Sequence, residues 1–344
     1  MAIANQSEFF RLRELSARVG RDPLLTQAST GNSSIKLDGQ LWIKSSGRWM
    51  ADAGRDDIFV PLRLDDVRSC LLRNVDPAAV FPDTSVETAM HAALPHKTAV
   101  HLHSVDSIAW AVRQDAVAVL TPRLEGISWH WIPYTPSGLP LAQKIERAAD
   151  PSKDADVFIL GNHGLLVAAS TVDHLEKILD TVLRRLVIHP RYTHPADYSI
   201  LAALAEDSGW DIPDDDDLHA LATDPASQSL VNSGVLFPCQ TFCARPETPS
   251  QFRPVSANSV HESQYARRPF IIVEQCGVLV NRRIGSAELA MLSGLVQVLR
   301  RLDRFAPVRY LTEEEIAGVT GQAGRYTTLA NLRRVQSPAM AVAP

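Results

Sequence analysis

The chain has 344 residues, 45% hydrophobic and 21% charged, which is the balance of one large or two ordinary globular domains rather than a disordered chain. A formal net charge of −5 leaves no electrostatic footprint for nucleic acid or an acidic membrane. No apolar run approaches the ~20 residues of a spanning helix, and residues 1–20 lack the apolar stretch and cleavage site of a signal peptide, so a cytoplasmic protein with no nucleic-acid or membrane partner is expected. Four cysteines in a chain of this length do not suggest a disulfide framework. Cys239 and Cys243 have the spacing of half a metal site, but no second Cys/His pair lies near in sequence, so they read as two small apolar side chains on a strand.

In chain order, residues 7–20 carry apolar residues at helical spacing and open the chain as a helix. Ile35 and Leu37 then alternate with polar residues, Asp38-Gly39 signals a two-residue hairpin turn, and Leu41 and Ile43 alternate again. A hairpin brings its far ends together, so the small polar stretches 30–34 and 45–47 are expected at one sheet edge. Residues 57–62 read as a strand and 65–73 as a short helix. Residues 84–94 read as a helix capped by Thr84 or Ser85, with Glu87 three residues after Thr84 as in a capping box. Residues 99–104 read as a strand, 105–114 as a helix, 157–169 as two strands broken by Gly161-Asn162-His163-Gly164, and 173–189 as an amphipathic helix. Strands alternating with helices predict an α/β fold, a mixed β-sheet sandwiched by helices.

The second half carries one informative pattern. Residues 270–280 followed by 286–302 repeat the plan of 158–167 and its helix, with Cys276 falling on His163 and Gly277 on Gly164. This reads as a C-terminal degenerate α/β repeat that has lost its histidine, its strands extending or packing against the first sheet. The expected organisation is a metal-binding domain over 1–205, an exposed acidic linker over 206–228, a C-terminal α/β extension over 229–335 and a disordered tail over 336–344.

His101 and His103 stand two apart in a predicted strand, where alternation puts both on one face. A third histidine, His163, sits on a turn between glycines, where loop residues are delivered to sites. Three histidines with an open position form the pattern of a catalytic rather than a structural zinc. A nearby carboxylate, Glu87, adds an oxygen donor, so Mn²⁺, Co²⁺ or Fe²⁺ would fit as well as Zn²⁺, the ion expected first. His91, on the face of Glu87, reads as a buried helix–sheet contact, His96 and Lys44 as exposed, and Asn162 as a turn residue or a group orienting a ligand.

Four stretches, GNSS (31–34), IKSSG (43–47), SVETAMHA…HLHS (85–104) and GNHG (161–164), stand in the order found in the class II aldolase/adducin family, which the chain resembles over roughly residues 8–190. The resemblance implies a class II aldolase-like three-layer α/β/α fold and a divalent metal held by Glu87, His101, His103 and His163. Glu87 doubles as catalytic proton shuttle, and a substrate-phosphate pocket forms from Gly31, Asn32, Ser46, Gly47 and Ser85. It also implies a homotetramer in carbohydrate metabolism. The fourteen residues from Glu87 to His101, and the later PYTPSGLPLA (133–142), are similar to the aldolase part of rhamnulose-phosphate aldolase/dehydrogenase fusions. No GxGxxG fingerprint follows in 190–344.

Two departures stand out: Val86 replaces a hydroxyl residue common before the glutamate, and the tyrosine proton donor of some aldolases has no counterpart. Arg123, Glu125 and His130 are the candidates for its role. The expected function is a lyase that cleaves a carbon–carbon bond of a hydroxy-ketone, such as a sugar phosphate, through a metal-stabilised enediolate. The alternatives are a decarboxylase of a β-keto acid at the same site, or a non-catalytic adducin-like interaction domain.

Overall fold

The computed structural model describes residues 3–81, 83–243 and 251–323. The opening helix runs Ile3–Gly20 and leads into the hairpin of β1 (Asn32–Leu37) and β2 (Gln40–Lys44). Its turn puts Asp38 at φ 49° and Gly39 at φ 73°, the left-handed pair that a two-residue turn needs to match strand twist. The register pairs Leu37 with Gln40 and Ser34 with Ile43, so residues 30–34 and 45–47 do meet at one end of the hairpin.

Five more strands complete a mixed seven-stranded sheet: β3 (Phe59–Arg63), β4 (Thr98–Leu102), β5 (Trp129–Ile132), β6 (Ala155–Leu160) and β7 (Gly164–Ala169), in the order β3-β2-β1-β4-β7-β6-β5. Only β5 and β6 run parallel. Strand alternation divides the core into two layers. Val157, Ile159, Leu165 and Val167 face the helices Ile3–Gly20 and Val172–Leu186, while Phe158, Leu160, Leu166 and Ala168 pack with Met90 and Leu141 on the opposite side. This is the expected three-layer α/β/α arrangement.

Two expectations about local structure are corrected. The helix read over 84–94 spans only Thr88–Ala93, because Thr84 forms a bridge with Ser45 and Glu87 is the residue ahead of the first turn. No capping box forms there. The Glu87 carboxylate is free of backbone duty and turns toward the sheet.

The stretch 206–228, read as an exposed linker, is folded. Trp210–Asp211 forms β8, which joins β9 (Phe270–Val273) and β10 (Gly277–Asn281) in a separate three-stranded sheet ordered β8-β10-β9. Leu218 and Leu221 are fully buried under it. The aspartate run misled because the apolar residues that follow it, Leu218 and Leu221, pack into the second core.

The β9–β10 hairpin does not extend the first sheet. Its turn nevertheless repeats that of β6–β7. In both, the third turn residue donates its N–H to the last strand carbonyl, His163 to Leu160 and Cys276 to Val273, each at 3.0 Å. The residue before it is left-handed, Asn162 at φ 53° and Gln275 at φ 58°. The helix Ser286–Arg301 then packs through Leu292 and Leu295 against Ile108 and Ala109, which ties the second half to the first. Residues 336–344 lie outside the described residues. Among the described residues, no helix is long and apolar enough to cross a membrane.

Candidate metal and substrate site

The sheet order places β4 between β1 and β7, and the site forms where these three strands end. His101 is the penultimate residue of β4, paired with Asn32 of β1 and Leu166 of β7. His103 follows just beyond the strand end. His163 enters from the turn that leads into β7. The three imidazoles are buried, with ring centroids 4.9 Å (His101–His103), 4.8 Å (His101–His163) and 5.1 Å (His103–His163) apart. One nitrogen from each lies within 4.8 Å of the others. His101 Nε2 is 3.1 Å from His103 Nε2, so the rings present these atoms to a common point. His101 Nδ1 turns away and donates to the Leu165 carbonyl at 3.0 Å, which fixes that ring.

Glu87 completes the cluster. Its Oε1 is 3.2 Å from His163 Nε2 and its Oε2 is 3.5 Å from His101 Nε2. Asn32 Nδ2 donates to Glu87 Oε2 at 2.6 Å and to Ser85 Oγ at 3.2 Å. The other amide atom, Asn32 Oδ1, meets His91 Nε2, while His91 Nδ1 pairs with Ser34 Oγ at 2.6 Å. His91 is thus the buried helix–sheet contact that its spacing predicts, and it locks the amide that holds Glu87.

Burial decides the protonation states. It pushes His101 down to about 4 and His91 down to about 3, and it holds His103 well below the usual imidazole range. Neutral imidazoles are the form that binds metal. Burial works to raise Glu87, but His101, His163 and His103 outweigh it and keep the carboxyl well below its ordinary range.

Glu87, His103 and His163 form one wall of a cavity of about 130 Å³, with His101 packed against them. Gly31, Asn32, Ser46, Gly47 and Ser85 line it together, as do Val86 and Ser137. Lys44, expected to be exposed, is buried at this wall. Its Nζ donates to the carbonyls of Arg48 at 2.6 Å and Ser29 at 3.0 Å, and so joins the two loops of the hairpin end. Burial pulls its ammonium down to about 7, with the Glu87 charge working against that. His96 is also buried rather than exposed, its Nε2 3.2 Å from the Lys153 carbonyl.

Arg123, Glu125 and His130 do not line the cavity: Arg123 lies over the Trp110 ring and His130 pairs with Asp156 at 3.0 Å. Among the cavity residues that sequence reasoning missed, Ser137 and Cys239 touch the cluster. Ser137 donates to Glu87 Oε1 at 3.4 Å, and its only signal was the PYTPSGLPLA stretch. Cys239 lies ahead of the short helix Gln240–Cys243, not on a strand, and its Sγ is 3.2 Å from His103 Nδ1. Burial pushes that thiol up to about 12.

Gly164, at the start of β7, lies tight against the end of β4. A Cβ there would stand 2.5 Å from the Leu102 carbonyl oxygen and 3.6 Å from His101 Cε1. Gly164→Ala is expected to lower stability by about 1–3 kcal/mol, as overpacking does. Urea unfolding measures this, and a wild-type midpoint would contradict the strand packing described.

The sequence profile of the Class II Aldolase and Adducin N-terminal domain matches residues 12–184, and the chain belongs to this family. A Bacillus subtilis (strain 168) protein named uncharacterized oxidoreductase YuxG is 26% identical over 175 residues, 44% of this chain and 25% of that protein. The chain therefore spans about a quarter of that relative's length. Among solved structures, the N-terminal class II aldolase domain of a conserved Thermoplasma acidophilum protein is 24% identical, with a TM-score of 0.43 over 51% of this chain and 90% of its own. L-fuculose-1-phosphate aldolase from Thermus thermophilus is 14% identical, with a TM-score of 0.38 over 52% of this chain and 91% of its own.

Proposed function

We propose that the protein is a metal-dependent lyase that cleaves a carbon–carbon bond of a hydroxy-ketone by a retro-aldol reaction. The observation that carries this reading is the convergence of three buried imidazole nitrogens and the Glu87 carboxylate at one cavity, which Glu87, His103 and His163 line. His101, His103 and His163 would hold the ion, with Glu87 as a fourth, exchangeable donor. A divalent ion bound there supplies Lewis-acid polarisation of the ketone oxygen and offsets the negative charge that grows as the bond breaks. Zinc is the ion proposed first, on the histidine-rich donor set.

Glu87 serves as the proton shuttle. It takes a proton from carbon in the condensation direction and returns one after cleavage. Asn32 and Ser137 orient it, one at each carboxylate oxygen. Gly31, Ser46, Gly47 and Ser85 bind the far end of the substrate, a phosphate in the sugar-phosphate case. The small-residue loops leave room for it, and Lys44 braces them from behind. A homotetramer is part of the same reading. Light scattering at working concentration is expected to give four times the chain mass, and a monomer would speak against it.

The test is proton exchange. The chain reconstituted with Zn²⁺ or Co²⁺ is incubated in D₂O with dihydroxyacetone phosphate and with hydroxyacetone, and the protons next to the carbonyl are followed by NMR. Exchange that requires the ion and stops on chelation is expected. No exchange with either compound, together with CO₂ release from a β-keto acid, would replace the aldolase reading with the decarboxylase.

A further inference from the structure

The second half of the chain lines the cavity with Pro238, Cys239, Phe242, Ala287 and Met291, and its loop 234–240 touches the histidine cluster. Gln240 is buried and braces it, accepting from the Leu236 N–H at 2.8 Å and donating to the Gly234 carbonyl at 3.0 Å. From this braced loop two contacts run to the histidine cluster. The Leu236 carbonyl accepts from Asn162 Nδ2 at 2.8 Å, beside His163. Cys239 Sγ lies 3.2 Å from His103 Nδ1. Arg309 adds to the first contact, since its carbonyl accepts from Asn162 Nδ2 at 2.8 Å and its guanidinium donates to Asn162 Oδ1 at 3.0 Å.

We propose that Cys239 is a positioning residue of the metal centre: its sulfur accepts the Nδ1 hydrogen of His103 and so holds Nε2 toward His101 and His163. The proposal rests on the metal-centre reading above. Its logic is the tautomer of a neutral imidazole, in which one nitrogen carries the hydrogen and the other is free to bind. For His101 the Leu165 carbonyl on β7 makes that choice. His103 stands past the end of its strand, where among the described residues no sheet carbonyl performs this task, and a side chain 136 positions away in sequence performs it instead. The C-terminal half is thereby part of the centre and not only an appendage to it.

Co²⁺ titration of the full-length chain tests this, with the visible absorption of the bound ion as a second readout. Cys239→Ala is expected to weaken Co²⁺ binding by about tenfold, the lower end for loss of an outer partner because sulfur is a weak acceptor, and to change the spectrum. Cys239→Ser keeps an acceptor and should restore most of the affinity. Cys243→Ala removes a buried sulfur one turn away and should leave both readouts unchanged. Wild-type affinity and spectrum in Cys239→Ala, or an equal loss in Cys243→Ala, would overturn the proposal while the metal reading stands. A wild-type chain that binds no Co²⁺ would overturn both.

A measurement on the unaltered protein guards against variants that fail to fold. With ¹⁵N-histidine labelling and Zn²⁺ bound, the His103 Nδ1 hydrogen is expected as a slowly exchanging imidazole signal, and its absence would also overturn the proposal.

Discussion

Glu87→Gln is expected to lower turnover by about a hundredfold to ten-thousandfold, the range for loss of a positioned general acid or base, while the ion stays bound. The argument starts from shape. Gln preserves the volume of Glu, and with its amide oxygen accepting from Asn32 its nitrogen can donate to the Ser137 hydroxyl, in the positions now 2.6 Å and 3.4 Å away. Three neutral imidazoles remain to hold the ion. What is lost is the capacity to take up and release a proton, since an amide does neither near neutral pH. Turnover of the reaction found by the exchange assay, measured alongside metal content, separates these effects. Near wild-type turnover with full metal would make Glu87 a structural group and remove it from the proposed mechanism.

His103→Ala should show the opposite coupling, with the ion and the activity lost together. Removing one of three nitrogens leaves two imidazoles and one carboxylate in a buried pocket, and the loss of affinity should exceed the roughly tenfold to hundredfold that outer partners cost. The chain should still fold. His103 lies beyond the end of β4 and makes no ladder hydrogen bond there, and it packs against Cys239 rather than in the apolar layers. His101→Ala is a harsher change, because His101 sits within the ladder between β1 and β7. A His103→Ala chain that keeps both metal and activity would remove this residue from the centre.

The parts of this site that were legible in the sequence are those set by local spacing. The Asp38-Gly39 turn set the hairpin register and so brought 31–34 and 45–47 together. The two-residue spacing of His101 and His103, and the glycines around His163, placed three imidazoles at one sheet end. Less legible were groups whose environment is made by distant segments. Lys44 reads as a surface residue because lysine seldom leaves water, and only the folded loops supply the carbonyls that satisfy it. Glu87 fits a capping pattern, yet the Ser45–Thr84 bridge delays the helix and releases its carboxylate. The spacing of Cys239 and Cys243 was set aside for want of a second nearby pair, since the partner of Cys239 lies in the other half of the chain. The aspartate run at 214–217 shows the same limit: charge density suggested solvent, whereas Leu218 and Leu221 serve a second core.

The central claim is that this cluster holds a catalytic ion, and metal stoichiometry tests it most directly. The full-length chain is purified without chelator and measured by elemental analysis, then stripped and titrated with Zn²⁺ and Mn²⁺. About one divalent ion per chain is expected, removed by chelator and regained on titration. A chain that carries no ion as purified and takes up neither metal would contradict the account.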